Sequence, residues 1–301
     1  MARVAFLFPG QGAQTVGMAR DLCASLPQAR QMFDEASELL GYDLLDLCAH
    51  GPAERLNSTV VSQPALFVAS LAALESLKQS QPQVLDECVA AAGLSLGEFT
   101  ALTFAGALTF QEGLRLVRRR GEAMQAAADR TPGGMVSVLT LDQSKVEELC
   151  LTARQNDVLQ IANYLCPGNY AVSGHRSACD RLEALVAEAG GRSVRLAVAG
   201  AFHTALMQPA SEAMAEVFAS VTLATPRVPV YSNVTAQPHG TPDEIRVLLR
   251  RQITEPVRWE ETIRRLLAEG CDRFYEIGPG RVLAGLLKRV QRKLDCLNIG
   301  A

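Results

Sequence analysis

A serine between two glycines is the residue of this sequence best suited to nucleophilic chemistry. Ser95 lies in the segment Gly93-Leu94-Ser95-Leu96-Gly97, which follows a run of small, β-compatible residues and precedes an apolar run typical of a helix. A G-x-S-x-G pattern between a strand and a helix is typical of a sharp turn that exposes the serine hydroxyl. The N–H groups at the start of the helix would face any negative charge that develops there. The pattern predicts that Ser95 is a nucleophile. An ordinary Gly-rich turn that contains a serine would have the same sequence pattern.

A serine hydroxyl needs a base to take its proton, and histidine is the usual base. The chain has four histidines. His50 lies in a loop before the nucleophile, His239 in a Pro-Gly turn, and His175 at a helix start inside a predicted insertion. His203 follows a Gly-Ala-Phe segment at a strand-to-helix junction, on the side of the nucleophile where a G-x-S-x-G enzyme has its histidine. The order of residues therefore favours His203 as the base.

The amino-terminal segment predicts a strand and a loop that would lie beside this site. Val4–Phe8 is a short apolar run typical of a buried parallel strand, and a Gly-rich loop over 9–14 and a helix from about Gly17 follow it. The loop lacks both G-K-S/T and G-x-G-x-x-G, which excludes those phosphate-binding motifs. Its glycines would instead allow a backbone N–H to approach a ligand closely.

Three consecutive arginines interrupt an amphipathic helix further along the chain. Thr109-Phe-Gln-Glu112 is a capping box, which predicts where this helix begins. Helical angles place Arg119 opposite the apolar face and leave Arg118 and Arg120 flanking that face equally. The spacing alone does not choose between Arg118 and Arg120, and a solvated arginine is the simplest interpretation of either.

A composition break at Thr131-Pro-Gly-Gly134 marks the start of an insertion. The patterns beyond it predict strands at 135–140, 159–165, 170–173 and 193–198 and helices at 144–156 and 177–189. The order β-α-β-β-α-β is that of the ferredoxin-like unit. We therefore expect an α/β fold in which a ferredoxin-like subdomain, 131–198, is inserted into a large domain formed by 1–130 and 199–301.

The carboxy-terminal part completes the large domain. Val228–Ser232 predicts an edge strand because of Pro229, and Thr241-Pro-Asp-Glu244 is a second capping box. Arg273–Ile277 predicts the last strand, and residues 282–294 predict the final helix.

Composition sets limits on the partners of the chain. The net charge is −3 over 301 residues, which gives no sign of a nucleic-acid partner. Eight cysteines lack any C-x-x-C pair or metal-ligand spacing, so we expect no metal and a reducing compartment.

The apolar run at the amino terminus is too short for a signal peptide. No apolar run is expected to reach membrane-spanning length, which predicts a cytoplasmic or organelle-stroma protein.

Several short motifs in the same order resemble one family over essentially the whole chain. This family is the malonyl-CoA:acyl carrier protein transacylases of bacterial and plastid fatty acid synthesis. The matching segments are Phe-Pro-Gly-Gln-Gly-Ala-Gln (8–14), Ser-Gln-Pro-Ala-Leu (62–66), Gly-Leu-Ser-Leu-Gly-Glu (93–98), Arg120-Gly121, Gly-Ala-Phe-His (200–203), Ser-Asn-Val (232–234), Arg-Gln-x-x-x-Pro-Val-x-Trp (251–259) and Glu-Ile-Gly-Pro-Gly (276–280).

The resemblance implies a fold and an activity. The fold is an α/β-hydrolase-like large domain with a ferredoxin-like insertion. The activity is transfer of a malonyl group from malonyl-CoA to the phosphopantetheine thiol of holo acyl carrier protein, with no metal or bound cofactor. A monomer is expected.

The resemblance also implies roles for individual residues. Ser95 is similar to the acylated nucleophile and His203 to its base, while the backbone N–H groups of Gln11 and Leu96 resemble the oxyanion hole. Arg120 matches the arginine that binds the malonyl carboxylate, a choice that the helical spacing left open. The remaining matches are Gln63, which would lie near the site, Phe202, which resembles the malonyl-selective pattern, and Gln252, whose main-chain carbonyl would orient the histidine.

The resemblance also predicts that the base works without a carboxylate. None of the acids between the predicted nucleophile and base stands at the end of a main-sheet strand, where a triad acid belongs. Glu98 lies in the first turn after the serine, where the positive end of the helix dipole stabilises its charge. Glu112 belongs to a capping box.

Two positions depart from the commoner family pattern: Leu94 replaces histidine and Leu165 replaces asparagine.

Three other functions compete with this interpretation. An acyl hydrolase would share the serine motif, but a buried arginine would then lack a partner for its charge. A carrier-protein docking module would need neither a nucleophile nor a base. An acyltransferase that serves a polyketide synthase in trans stays open.

Overall fold

The computed structural model describes residues 2–301. The strands are β1 (Val4–Phe8), β2 (Cys88–Gly93), β3 (Gly133–Leu139), β4 (Leu159–Cys166), β5 (Asn169–His175), β6 (Arg192–Arg195), β7 (Val230–Tyr231), β8 (Arg273–Ile277) and β9 (Cys296–Ile299). The helices are α1 (Arg20–Ser25), α2 (Pro27–Leu40), α3 (Leu44–His50), α4 (Ala53–Asn57), α5 (Thr59–Ser80), α6 (Gln83–Asp86), α7 (Leu96–Phe104), α8 (Phe110–Arg130), α9 (Gln143–Arg154), α10 (Arg176–Glu188), α11 (Gln208–Ser220), α12 (Pro242–Gln252), α13 (Trp259–Ala268) and α14 (Val282–Val290), with a 3₁₀ turn at Ala205–Met207.

The larger sheet is parallel and has the order β7-β2-β1-β8-β9. Every residue of β1 is buried, because helices cover both faces of the sheet and leave no polar side to the strand. β2 consists of small residues from Ala90 onward, which lets α7 pack close to it. β7 is the edge strand that Pro229 predicted. The carboxyl ends of β1 and β2 lie side by side, so the loops that follow them meet at one place.

The smaller sheet is antiparallel and has the order β4-β5-β3-β6. Its elements follow the β-α-β-β-α-β order expected from the sequence, and α9 and α10 pack on the sheet through an apolar cluster of their own. The molecule is thus a mixed α/β fold with one parallel and one antiparallel sheet.

Strand β4 joins the two sheets. Tyr164 donates its N–H to the carbonyl of Val257 at 2.9 Å, and Val257 donates its N–H to the carbonyl of Ala162 at 2.8 Å. The Gln160 side chain donates to the main-chain carbonyl of His203 at 3.0 Å. The smaller sheet is therefore bonded directly to the segments that carry the predicted base and Gln252.

The elements nearest the two ends of the chain differ from the sequence prediction. Arg273–Ile277 is not the last strand, because β9 pairs with β8 after a final helix that ends at Val290 rather than Leu294. The first helix begins at Arg20 rather than near Gly17, because Ala19 has a φ of 64° and interrupts the helical conformation.

The expectation that no apolar run is long enough to cross a membrane was wrong for α5. Thr59–Ser80 is long and apolar enough by length and composition, but 83% of its most apolar window is buried inside the fold. This helix carries polar residues such as Gln63 into the interior, and a core helix of a folded domain passes the same test.

All eight cysteines carry free thiols, and seven of them are buried. Burial raises the pKa of Cys48 and of Cys150 to about 12. These thiols act as small apolar side chains in the interior.

Candidate active site

The turn at Ser95 has the sharp geometry that its two glycines predicted. Ser95 has a φ of 51° and a ψ of −100°, and α7 begins at the next residue. A Cβ on Gly93 would lie 1.9 Å from the carbonyl carbon of Gly97, and a Cβ on Gly97 would lie 2.1 Å from the carbonyl oxygen of Phe8. Only glycine allows the strand and helix to approach this closely, and the approach places Ser95 at the end of the parallel sheet.

The Ser95 hydroxyl is hydrogen-bonded to His203, with 2.9 Å between Oγ and Nε2. The other ring nitrogen, Nδ1, lies 2.7 Å from the main-chain carbonyl oxygen of Gln252. A carbonyl oxygen only accepts hydrogen bonds, so Nδ1 carries the proton and Nε2 is free to receive the one from Ser95. Among residues 2–301 no carboxylate contacts this imidazole. The main-chain carbonyl of Gln252 therefore orients the ring.

The His203 imidazole is neutral near neutral pH. Burial disfavours its charged form, and the nearby positive charge of Arg120 acts in the same direction, which together lower its pKa to about 4. His203 also has a φ of 59°, so both members of the Ser95–His203 pair have backbones in the left-handed region. Such strain concentrates at functional sites.

Arg120 is the arginine that points into the interior. It is 1% exposed, and its Nη1 donates to Oε1 of Gln63 at 2.8 Å. Its Nη2 donates to Oγ of Ser95 at 2.9 Å and to Oε1 of Gln252 at 2.8 Å. Burial lowers the pKa of Arg120 to about 10, so the guanidinium still carries its charge at neutral pH.

The neighbouring arginines lie on the surface and resolve the ambiguity of the helical spacing. The side chains of Arg118 and Arg119 are 42% and 59% exposed, and both pair with Glu122. Among the three, only Arg120 contacts the predicted nucleophile.

A cavity of about 260 Å³ opens in front of this cluster. Ser95, Arg120, His203, Gln11, Leu96 and Phe202 all line it. Within residues 2–301 the N–H groups of Gln11 and Leu96 have no protein acceptor. The two positions that depart from the commoner family pattern, Leu94 and Leu165, form part of its apolar wall. Gln63 and Gln252 lie behind the cavity, where they bind the guanidinium.

Three further polar residues, Asn233, Glu98 and His239, belong to the site, although the sequence analysis gave them no role in it. Asn233 accepts a hydrogen bond from the N–H of Ser95 at 2.6 Å and donates one to the carbonyl of Gly93 at 2.7 Å, so it clamps the turn. Glu98 is not merely a first-turn acid favourable for the helix dipole, because it is fully buried and pairs with His239. These residues are far apart in sequence, and no local pattern links them.

The other histidines do not contact the cavity. His50 pairs with Asp46 on the surface, and Nδ1 of His175 accepts the N–H of Val158. Residues 2–301 contain no group of three or more His, Cys, Asp or Glu side chains that could hold a metal ion.

Comparison with known proteins defines the class of the molecule. Residues 5–297 match the family model described as acyl transferase domain. The chain is thus an acyltransferase.

The most similar relatives specify the class further. The mitochondrial malonyl-CoA-acyl carrier protein transacylase of Homo sapiens is 47% identical over 295 residues, which cover 94% of this chain and 75% of that protein. The malonyl-CoA:acyl carrier protein transacylase from Xanthomonas oryzae superposes with a TM-score of 0.95 at 41% identity, covering 99% of this chain and 95% of that one. A malonyl-transacylase solved in complex with a type II polyketide synthase acyl-carrier protein has a TM-score of 0.94 at 36% identity, with 100% and 96% covered. The chain belongs to the acyl transferase domain family and, within it, to the malonyl-CoA-acyl carrier protein transacylases.

Proposed function

We propose that this chain transfers a malonyl group from malonyl-CoA to the phosphopantetheine thiol of holo acyl carrier protein, through an ester on Ser95. The observation that carries the proposal is the pair of contacts at one oxygen. Oγ of Ser95 lies 2.9 Å from the base Nε2 of His203 and 2.9 Å from a buried guanidinium. A nucleophile beside a fixed positive charge suits an acyl group that itself ends in a carboxylate.

Acylation begins with removal of the serine proton. His203 takes this proton as Oγ attacks the thioester carbonyl, and the N–H groups of Gln11 and Leu96 stabilise the oxyanion. The imidazolium then protonates the CoA thiolate as the C–S bond breaks, which leaves a malonyl-Ser95 ester. Loss of one oxyanion donor in such a reaction costs on the order of 100- to 1,000-fold in turnover.

Arg120 selects the acyl group by binding its free carboxylate. Two parallel N–H bonds to a carboxylate need one proton of Nη2 together with Nε or Nη1. Both Nη2 protons are engaged in the free enzyme, one by Ser95 and one by Gln252, whereas Nε has no partner within residues 2–301. A substrate carboxylate that binds in this way would take the place of Ser95 Oγ on Nη2 and add the bond to Nε.

The second half-reaction returns the enzyme to its free form. The phosphopantetheine thiol gives its proton to His203, its sulfur attacks the ester carbonyl, and Ser95 Oγ leaves and regains the proton. Gln252 keeps the same imidazole tautomer in both halves through its main-chain carbonyl. The reaction uses no metal and no bound cofactor.

The architecture supports a finer description of the molecule. We assign 1–130 and 199–301 to an α/β-hydrolase-like catalytic domain and 131–198 to a ferredoxin-like subdomain, supported by the 2-3-1-4 order of the four inserted strands. We further propose a monomer, with no membrane or nucleic-acid partner, in the cytoplasm or the matrix or stroma of an organelle. Sedimentation equilibrium tests the oligomeric state.

Intact mass spectrometry tests the proposed function. After brief exposure to malonyl-CoA without an acceptor, the chain should gain one malonyl group, and peptide mapping should place it on Ser95. Ser95→Ala should gain none. Addition of holo acyl carrier protein from a fatty acid or a polyketide system should remove the label, and the faster acceptor identifies the pathway served.

A hydrolase and a docking module give different results. Loss of the label to water at a rate that acyl carrier protein does not increase would indicate a hydrolase. Binding of the carrier protein without any label, or a label on a cysteine, would contradict the assignment of Ser95.

A further inference from the structure

A buried acid–histidine pair lies behind the cavity, and the acyl-transfer steps above do not use it. Oε1 of Glu98 lies 2.7 Å from Nε2 of His239, and both side chains are fully shielded from solvent. A charged group is rarely buried unless it is paired and hydrogen-bonded. The partners of this pair therefore indicate what it does.

The second oxygen of Glu98 binds two segments of the active site. Oε2 accepts a hydrogen bond from Nε2 of Gln252 at 2.7 Å and another from the main-chain N–H of Asn233 at 3.1 Å. Both bonds at Oε2 come from N–H donors, so this oxygen carries no proton, and toward a carboxylate Nε2 of His239 is the donor to Oε1. Glu98 thus connects α7 to the end of α12 and to the segment after β7.

These contacts fix which way the Gln252 amide faces. A carboxylate only accepts and a guanidinium only donates, so Nε2 must face Glu98 and Oε1 must face Arg120. The observed bonds have this arrangement, with Oε1 of Gln252 2.8 Å from Nη2 of Arg120. A reversed amide would place two donors together on one side and two acceptors together on the other.

The same chain of bonds supplies a counter-charge to the arginine. Arg120 is buried and no carboxylate contacts it. The side-chain amide of Gln252 lies between Arg120 and Glu98 and is hydrogen-bonded to both. The negative charge of Glu98 favours the protonated guanidinium, against the desolvation that disfavours it. The main chain of Gln252 also holds the His203 imidazole, so one glutamine connects Glu98 to both functional groups.

We propose that Glu98 and His239 form a positioning pair for recognition of the malonyl carboxylate. The Glu98 carboxylate orients the Gln252 amide and, through it, the Arg120 guanidinium, and the His239 imidazole holds the carboxylate in place. This inference rests on the proposed function, since it assigns the pair to the selection of a charged acyl group.

The test compares malonyl-CoA with acetyl-CoA as acyl donors and measures kcat/KM for each. Glu98→Gln should lower the malonyl-to-acetyl ratio by about 10- to 100-fold, the cost typical of losing a hydrogen bond to a charged group. Glu122→Gln is the matched control, because Glu122 pairs only with the surface residues Arg118 and Arg119. Its ratio should equal that of the unmodified chain.

Variants of His239 keep the inference testable if Glu98→Gln does not fold. His239→Gln retains an N–H donor toward Glu98 and should preserve the ratio, whereas His239→Leu removes the donor and should lower it. Circular dichroism establishes that each variant is folded. An equal fall for both acyl donors, or an unchanged ratio in both Glu98→Gln and His239→Leu, would overturn the positioning role. A failure of the unmodified chain to load malonyl would instead overturn the proposed function and this inference with it.

Discussion

Burial and the charge of one neighbouring side chain together keep the base of this active site neutral. Arg120 lies close enough to His203 for its positive charge to act with burial in disfavouring the imidazolium. The histidine thus remains an acceptor at every pH at which the protein is expected to work. A base of low pKa has little intrinsic proton affinity, and the 2.9 Å bond between Ser95 Oγ and His203 Nε2 holds the proton donor in place.

The pH profile of acetyl transfer should report this coupling. In the unmodified chain kcat/KM should fall as the pH drops through about 4, since protonation removes the base. In Arg120→Ala the acid limb should move to higher pH, because loss of the positive charge raises the pKa of His203 toward its ordinary value. Acetyl-CoA is the donor of choice because its acyl group does not titrate. An acid limb that stays in place in Arg120→Ala, as it should in Arg118→Ala, would contradict the coupling.

Selectivity for malonyl should depend on the same arginine. Arg120→Ala should lose malonyl transfer by on the order of 100- to 1,000-fold, the cost of leaving a desolvated charge unpaired. Transfer of acetyl should be kept or should increase. Arg118→Ala should change neither rate, because Arg118 pairs with Glu122 at the surface. Equal losses for malonyl and acetyl would indicate that Arg120 supports the fold rather than the substrate.

At the scale of elements, the contact between β2 and α7 decides whether the nucleophile is presented. Gly93→Ala should lower the free energy of unfolding by about 3 kcal/mol or more, because the new Cβ would lie 1.9 Å from a backbone carbon. Gly285→Ala is the matched control within α14. No atom lies within 4 Å of its added Cβ, so alanine should stabilise by about 0.5–1 kcal/mol. Urea unfolding measures both changes, and a mild effect at Gly93 would contradict the tight turn.

The sequence predicted best the elements that depend on interactions between residues a few positions apart. The two capping boxes at Thr109 and Thr241 form as expected, since each involves residues only three apart. The turn at Ser95 follows from its own glycines.

The site was predicted in part, for the same reason. The nucleophile and the base came from residue types and chain order, but helical spacing alone did not select Arg120. The bonds of Glu98 to Asn233, Gln252 and His239 span 135 to 154 residues, and only the folded chain brings these side chains together. Strand β9 was missed because Cys296–Ile299 is short and forms by pairing with β8 rather than through a pattern of its own.

At the scale of the whole molecule, the two sheets should unfold together. Hydrogen bonds from β4 to Val257 and His203 connect them at the active site. Trp259 is the only tryptophan, lies two residues beyond Val257 and is fully buried against the larger sheet, so its fluorescence reports that sheet. Its unfolding curve in urea should coincide with the far-ultraviolet circular dichroism curve of the whole chain. A separate dichroism transition without a fluorescence change would show that the smaller sheet unfolds independently.

The burial of the cysteines offers a way to capture the acceptor complex. Seven thiols are enclosed in the interior, and at the eighth, Cys296, the pKa is raised to about 12, so thiolates are scarce throughout the molecule. In Ser95→Cys, a thiol beside a histidine and a guanidinium would ionise far more readily than any of these. An acyl carrier protein bearing an alkylating pantetheine should then form a thioether at this position alone, which would yield a covalently linked complex for crystallisation without mutation of the natural cysteines.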